Sequence, residues 1–166
     1  MELNFGPRGT LEINDARIKF RNFSGRKDQY NKNGERNFHL IIPNQEIADA
    51  LLNDTNEYGV GWNVKIKANR EEEGGAPYIS LPVKVNFNGR GPAVYLDVNG
   101  KRTRLDEDTV CMLDSIDIRS VDLDITPYDG EGMYGPYRKA YLKSIWVYQE
   151  VDRFAARYAE EEYPEE

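Results

Sequence analysis

Apolar and polar residues alternate in short runs along most of this chain, and the parity of those runs predicts its strands. Leu11 and Ile13 are odd while Ala16, Ile18 and Phe20 are even, so a strand burying all five needs an extra residue near Asn14 or Asp15. That is a β-bulge, and a bulged first strand lets a small sheet curl and close. Phe38, Leu40 and Ile42 give a second strand over 37–42, ended by Pro43. Ile47, Ala48, Leu51 and Leu52 recur at spacings of three and four behind Asn44, which predicts a capped helix over 45–52 that plugs one end of the sheet. Trp62, Val64, Ile66 and Ala68 alternate with polar partners. Ile79, Leu81, Val83, Val85 and Phe87 form the longest such set, with Pro82 on the opposite parity implying an edge or a bulge.

Asn99-Gly100 lies between 94–98 and 101–105 and specifies a tight hairpin. Asp106, Glu107 and Asp108 then favour a brief helix over 109–113 through its dipole. Ile116 and Ile118 are even and Val121, Leu123 and Ile125 odd, so the parity changes near Arg119 and Ser120. The stretch 127–137 has three Gly, two Pro and three Tyr and reads as a mobile loop. A last strand runs over 138–148, its inner parity ambiguous beyond Ser144. Seven or eight short strands without alternating long helices predict a mainly β protein. The expected fold is a small antiparallel barrel, OB-fold-like, with one or two short helices. A helix after the second strand departs from the usual OB arrangement and calls for an added strand or a permuted helix.

Composition divides the chain without splitting its core. Residues 1–150 form the expected OB-like domain and 151–166 an acidic tail, in which 151–159 has helical spacing and 160–166 has no means of burial. The overall charge is −7, which by itself argues against a nucleic-acid partner. Its distribution reverses that inference. The stretch 17–39 carries seven Lys or Arg against Asp28 and Glu35, while 149–166 carries seven acids against two Arg. Phe20, Phe23, Tyr30 and Phe38 are threaded among the cations of 17–39, which reads as two strands joined by a long flexible loop over 24–36 that holds Tyr30. Cations with interleaved rings suit a ligand that has a charged backbone and flat faces, which describes single-stranded nucleic acid. Lys65 and Lys67 add a second cationic strand face.

Catalytic chemistry is sparse. His39 is the only histidine, which removes two-histidine metal sites and most nucleophilic triads, so neither catalytic residues nor cofactors are expected. Cys111 is the only cysteine; it excludes an internal disulfide, fits a reducing compartment, and reads as a small buried hydrophobe. Asp122 and Asp124 share a strand face and give a minor alternative, Mg²⁺-dependent nuclease activity. The acidic band of Asp106, Glu107, Asp108, Asp114 and Asp117 supports another, a phage structural or interaction protein. The N-terminus lacks a leader pattern and no apolar run spans a membrane, so a cytoplasmic protein is expected.

The segments FRNFSGRKDQYNKNGERNFHLIIP, VDLDITPYDGEG and AYLKSIWV, with the acidic end, resemble single-stranded DNA-binding proteins of bacteriophages. The resemblance implies an OB-fold that coats single-stranded DNA without sequence preference during phage replication or recombination. It implies phosphate contacts from Lys19, Arg21, Arg26, Lys27, Lys32, Arg36, Lys65, Lys67, Arg138, Lys139 and Lys143. Phe23, Tyr30, Tyr134 and Tyr137 would stack bases. The acidic tail would compete for the basic face or recruit replication and recombination proteins.

Overall fold

Alternating residues become strands here because one parity is removed from water at roughly 1.5–3 kcal/mol for each large side chain. The computed structural model describes residues 1–68, 74 and 77–151. The expected acidic tail lies outside them from residue 152 onward, as do residues 69–73 and 75–76. Among the described residues there are nine strands: β1 (Glu2–Phe5), β2 (Leu11–Asn22), β3 (Arg36–Ile42), β4 (Lys65–Lys67), β5 (Tyr78–Val85), β6 (Ala93–Val98), β7 (Lys101–Leu105), β8 (Ile118–Gly132) and β9 (Gly135–Gln149). The α-helix α1 (Gln45–Asn53) is capped by Asn44, whose side chain accepts from the Ile47 N–H. A 3₁₀ turn over Val110–Asp114 follows β7.

Five of these strands close on themselves. β2 pairs with β3, β3 with β5, β5 with β9, β9 with β8 and β8 with β2. The β5–β9 pairing is parallel and short, through Val83 with Ala140 and Lys84 with Tyr141. The closed set is the five-stranded OB barrel, with β2, β3, β5, β8 and β9 as its first to fifth strands. Helix α1 and β4 are inserted between the second and third barrel strands; the β6–β7 hairpin and the 3₁₀ turn lie between the third and fourth. The helix therefore falls after the second strand, as its sequence spacing predicts. β1, which the hydrophobic pattern does not reveal, pairs with the start of β2.

The bulges account for the parity changes. Asp15 adopts φ 53° where the β2–β8 register shifts between Ile13 and Ala16, at the predicted place. A second shift separates Ile118 from Ser120 and leaves Arg119 over. A third puts Leu142 opposite Ile125 but Ser144 opposite Asp124, so Lys143 is the additional residue. That bulge resolves the ambiguous strand: Ala140 and Leu142 face inward before it, Ile145 and Val147 after it. Pro82 sits at a local edge within β5, in a gap between two neighbouring strands. It pairs with His39 on one side, and on the other it falls between the end of the β4 pairing at Ser80 and the start of the β9 pairing at Val83. No ladder partner there is left without an N–H.

Two expectations fail on packing grounds. The loop predicted over 127–137 is instead the end of a long β8–β9 arm, turning only at Met133 and Tyr134. Its glycines serve a ring: a Cβ on Gly130 would lie 2.6 Å from the Tyr137 hydroxyl, so glycine lets Tyr137 lie across the neighbouring strand. Cys111 is exposed. Three-residue spacing in the 3₁₀ turn buries Val110 and Leu113 and turns Cys111 and Met112 outward.

Candidate nucleic-acid interface

On an OB barrel the outer face of the second and third strands, flanked by the loops after the first and fourth, is where oligonucleotides or oligosaccharides bind. Here that face is β3 and β5, widened by β4. The 23–35 loop lies at the end of the face where β5 finishes, and the tip of the arm lies beyond the end where β5 starts, because β5 runs antiparallel to β3 and parallel to β9.

Residues paired across neighbouring strands share a face, and the register fixes what this one displays. Arg17, Ile41, Ser80 and Lys65 are aligned across β2, β3, β5 and β4; Lys19, His39 and Pro82 form the next row. The Lys67 ammonium lies 5.1 Å from the centre of the Phe20 ring. Phe20 meets His39 edge-on at 5.3 Å. Burial pushes the His39 imidazole down to about 4, with Lys67 and Lys65 adding to the shift, so the ring is neutral at physiological pH. Lys19 donates to the Tyr78 hydroxyl at 2.7 Å, and exposed Lys84 extends the face toward Tyr141.

Phe20 and Phe23 exchange their expected places. Phe20, expected inward, is 52% exposed, and Phe23, expected to stack bases, is 0% exposed and stacked on Phe38 at 5.4 Å. The cause is a bulge the parity pattern does not show. Phe20 has φ 54°, and Phe20 and Arg21 together occupy the step taken by Phe38 alone on β3. The same bulge turns Arg21 away from Arg17 and Lys19. Its guanidinium donates to the Leu113 and Ile116 carbonyls at 2.7 and 2.8 Å, a structural tie in place of the expected phosphate contact.

The 23–35 loop is anchored. Asn22 exchanges hydrogen bonds with the Arg26 backbone at 3.0 Å in both directions, and the Asp114 carboxylate accepts the Phe23 and Ser24 N–H groups at 2.7 and 3.0 Å. Asp28 accepts the Tyr30 and Asn31 N–H groups, and these bonds hold its carboxyl below the usual range. Lys27 and Lys32 are exposed and Tyr30 is 78% exposed. Arg26 is exposed, 3.9 Å from Asp114. Arg36 is mostly covered, with its guanidinium 5.0 Å from the Phe87 ring centre and donating to the Glu107 carbonyl at 3.2 Å.

On the arm, Tyr141, Tyr128 and Tyr137 form a ladder of rings with centroid spacings of 5.7 and 6.4 Å, and the Lys139 ammonium sits 4.7 Å from the Tyr137 ring centre. Tyr134 is fully exposed at the tip. Arg138, expected to contact phosphate, is buried instead. It donates to both Asp129 oxygens at 2.8 and 3.2 Å and to the Asp54 carbonyl at 2.8 Å, and it packs 5.1 Å from the Trp62 ring centre. Arg138 thereby holds Asp129 below its ordinary value. A cleft of about 400 Å³ opens between the 60–64 segment before β4 and the start of β9, lined by Trp62, Val64, Tyr137 and Lys139 among others. Lys143 is exposed at its bulge.

The structure thus brings Lys19, Lys65 and Lys67 together and adds Arg17, Phe20, His39 and Lys84. It sets Lys27, Tyr30, Lys32 and Arg26 on one flank and Tyr137, Lys139 and Tyr134 on the other, and withdraws Phe23, Arg21, Arg36 and Arg138 into structural roles. Arg17 was legible as a strand-face cation; Lys84 was legible only as the polar position opposite Val83 and Val85. The Asp122 and Asp124 carboxylates are occupied across strands. Asp122 accepts the Asp15 N–H and the Tyr148 hydroxyl, each at 2.9 Å, and Asp124 accepts the Ser144 hydroxyl. Among the described residues, no three His, Cys, Asp or Glu side chains gather where they could hold a metal ion, and no helix is long and apolar enough to cross a membrane.

Fold and face define an OB-type barrel with a cationic, aromatic outer surface. A family model described as "Putative phage ssDNA-binding domain" matches residues 4–166, and the chain belongs to that family. Among solved structures it is similar to the single-stranded DNA-binding protein from bacteriophage Enc34. In a C-terminally truncated form the identity is 16%, coverage is 92% of this chain and 91% of that one, and the TM-score is 0.55. For that protein in complex with ssDNA the identity is 14%, coverage 92% and 93%, and the TM-score 0.56. No curated protein matches the chain.

Proposed function

We propose that this protein coats single-stranded DNA without sequence preference, as a binding protein of phage replication or recombination acting in the host cytoplasm. The strand crosses the β3–β5–β4 face between the 23–35 loop and the β8–β9 arm. The observation that carries this is the joining of Lys65, Lys67, His39 and Phe20, from three separate parts of the chain, on the surface where OB barrels bind oligonucleotides. Lysines meet phosphates as point charges. Phe20, Tyr30, Tyr134 and Tyr137 offer stacking planes, and stacking accepts every base. Family membership and the ssDNA complex of the Enc34 protein support the same reading. Binding is the whole activity on this reading, because Asp122 and Asp124 are committed to hydrogen bonds within the sheet. The acidic tail serves as a competitor for the cationic face or as a contact for replication and recombination proteins.

Titration with oligo-thymidine at varied salt tests this. About four phosphate contacts at roughly −0.7 each predict a slope of log affinity against log salt near −3. A flat salt response, or equal affinity for duplex, overturns the proposal.

A further inference from the structure

A second cationic and aromatic surface lies on another side of the barrel. Tyr95 on β6 stacks nearly parallel on Trp146 of β9 at 5.7 Å. The Arg102 and Arg104 guanidiniums of β7 lie 6.0 and 5.9 Å from the Tyr95 ring centre, and that of Arg119 lies 5.9 Å from Tyr148. All three arginines are exposed, and none forms an ion pair among the described residues. The guanidiniums of Arg21, Arg36 and Arg138, by contrast, donate to protein oxygens. Two acids on this surface accept hydrogen bonds from the protein: Asp97 from the Gly100 N–H at 2.9 Å, and Asp122 from the Asp15 N–H and the Tyr148 hydroxyl.

The register connects this surface to the proposed binding face. The row that runs from Lys65 through Ser80 and Ile41 ends at Arg17 on β2. Ala16, the residue before Arg17, pairs with Val121 on β8, which brings Arg17 beside Ser120 and the bulged Arg119. Ser120 pairs with Tyr148, Tyr148 with Asp97, and Asp97 with Arg102. A single level of the outer surface therefore carries cations around the barrel, at Lys65, Arg17, Arg119 and Arg102, with the Tyr95–Trp146 pair one row away.

We propose that the β6–β7–β9 surface is a second station for the same single strand, which leaves the β3–β5–β4 face over Arg17 and Arg119 and wraps toward Arg102 and Arg104. This rests on the reading of the first face as a single-strand site. Charge and flat rings without committed acceptors are what a phosphate backbone with unstacked bases requires. A wrapped path makes the two stations distinguishable by ligand length.

The test compares oligo-thymidines of about 8 and about 25 nucleotides, one within and one beyond the roughly 4–16 nucleotides that an OB barrel covers. Arg102→Ala with Arg104→Ala is expected to leave the short ligand's affinity unchanged and weaken the long one about fivefold or more. The long ligand's salt slope should fall by roughly 1.4, for two phosphate contacts at about 0.7 each. Arg119→Ala should show the same length dependence, whereas Lys65→Ala with Lys67→Ala should weaken both ligands. Equal weakening of both by the Arg102/Arg104 variant, or none on the long one, overturns the second station and leaves the first face standing. A change in sedimentation behaviour without a length-dependent loss overturns it in favour of a protein contact. Absence of binding by the native protein to either length overturns both readings.

Discussion

Arg138 and Lys67 each set a cation 5.1 Å from an aromatic ring centre, and they do opposite things. Arg138 lies at that distance from Trp62, and Lys67 at that distance from Phe20. Around Arg138 the side chain is 7% exposed, and its donors are taken by Asp129 and Asp54, so the pair locks the root of the arm to the segment after α1. Lys67 is exposed, with Lys65 and His39 around it, where a ligand can reach them. Proximity of charge and ring is thus no mark of a binding site by itself; what matters is whether the cation's hydrogen bonds are already made inside the protein. The planar fork of arginine can satisfy several fixed acceptors at once, which suits it to the first role, whereas a lysine ammonium on a flexible stem suits the second.

The contrast is most strongly tested at the two phenylalanines that the second β2 bulge separates. Phe23→Ala is expected to lower folding stability by about 3–5 kcal/mol, the range for deleting a buried ring. Phe20→Ala should leave the denaturation midpoint nearly unchanged but weaken oligo-thymidine binding by roughly 1–3 kcal/mol. An equal stability loss in the two variants would contradict the bulge assignment.

Arg138→Met should cost about 2–3 kcal/mol of stability in urea denaturation. That is somewhat below the roughly 3–5 kcal/mol for breaking a fully buried ion pair, because Asp129 and Asp54 keep part of their hydration. The salt slope of the folded variant should match that of the native protein. Lys65→Ala with Lys67→Ala should do the reverse, reducing the slope by roughly 1.4 through two lost phosphate contacts while leaving the urea midpoint in place.

The smallest expected effect is a pH dependence from His39. Because its folded value is about 4 against an ordinary 6.5, the unfolded chain binds the proton more readily than the folded one between those values. The contribution to stability is complete above about 6.5 and falls as pH drops through that window. Thermal melts should show that His39→Gln loses less stability than the native protein between about pH 7 and about pH 5. The same loss in both would place the titration elsewhere.

Much of the barrel was legible from single strands. Parity located the Asp15 bulge, the change at Arg119 and the inner residues of β3 and β5, because alternation is a property of one strand against one core. The Asn99-Gly100 turn was equally local: both residues adopt positive φ, at 52° and 83°. The arm was missed because its glycines and prolines are loop-formers on average. Only the Tyr137 ring lying over Gly130 and the Arg138–Asp129 pair make that sequence favourable as strand.

By itself, then, the sequence determined that this chain would form a small bulged barrel with segregated charge and rings set among its cations. The tertiary structure alone decided which of those groups a ligand can reach. Arg21 finds its acceptor 92 residues away at Leu113, and Arg138 finds one 84 residues away at Asp54. The bulge that turns Phe20 outward exists only relative to the spacing of β3. A side chain's availability is set by partners that meet it after the chain has closed, and no local pattern of apolar and polar residues encodes them.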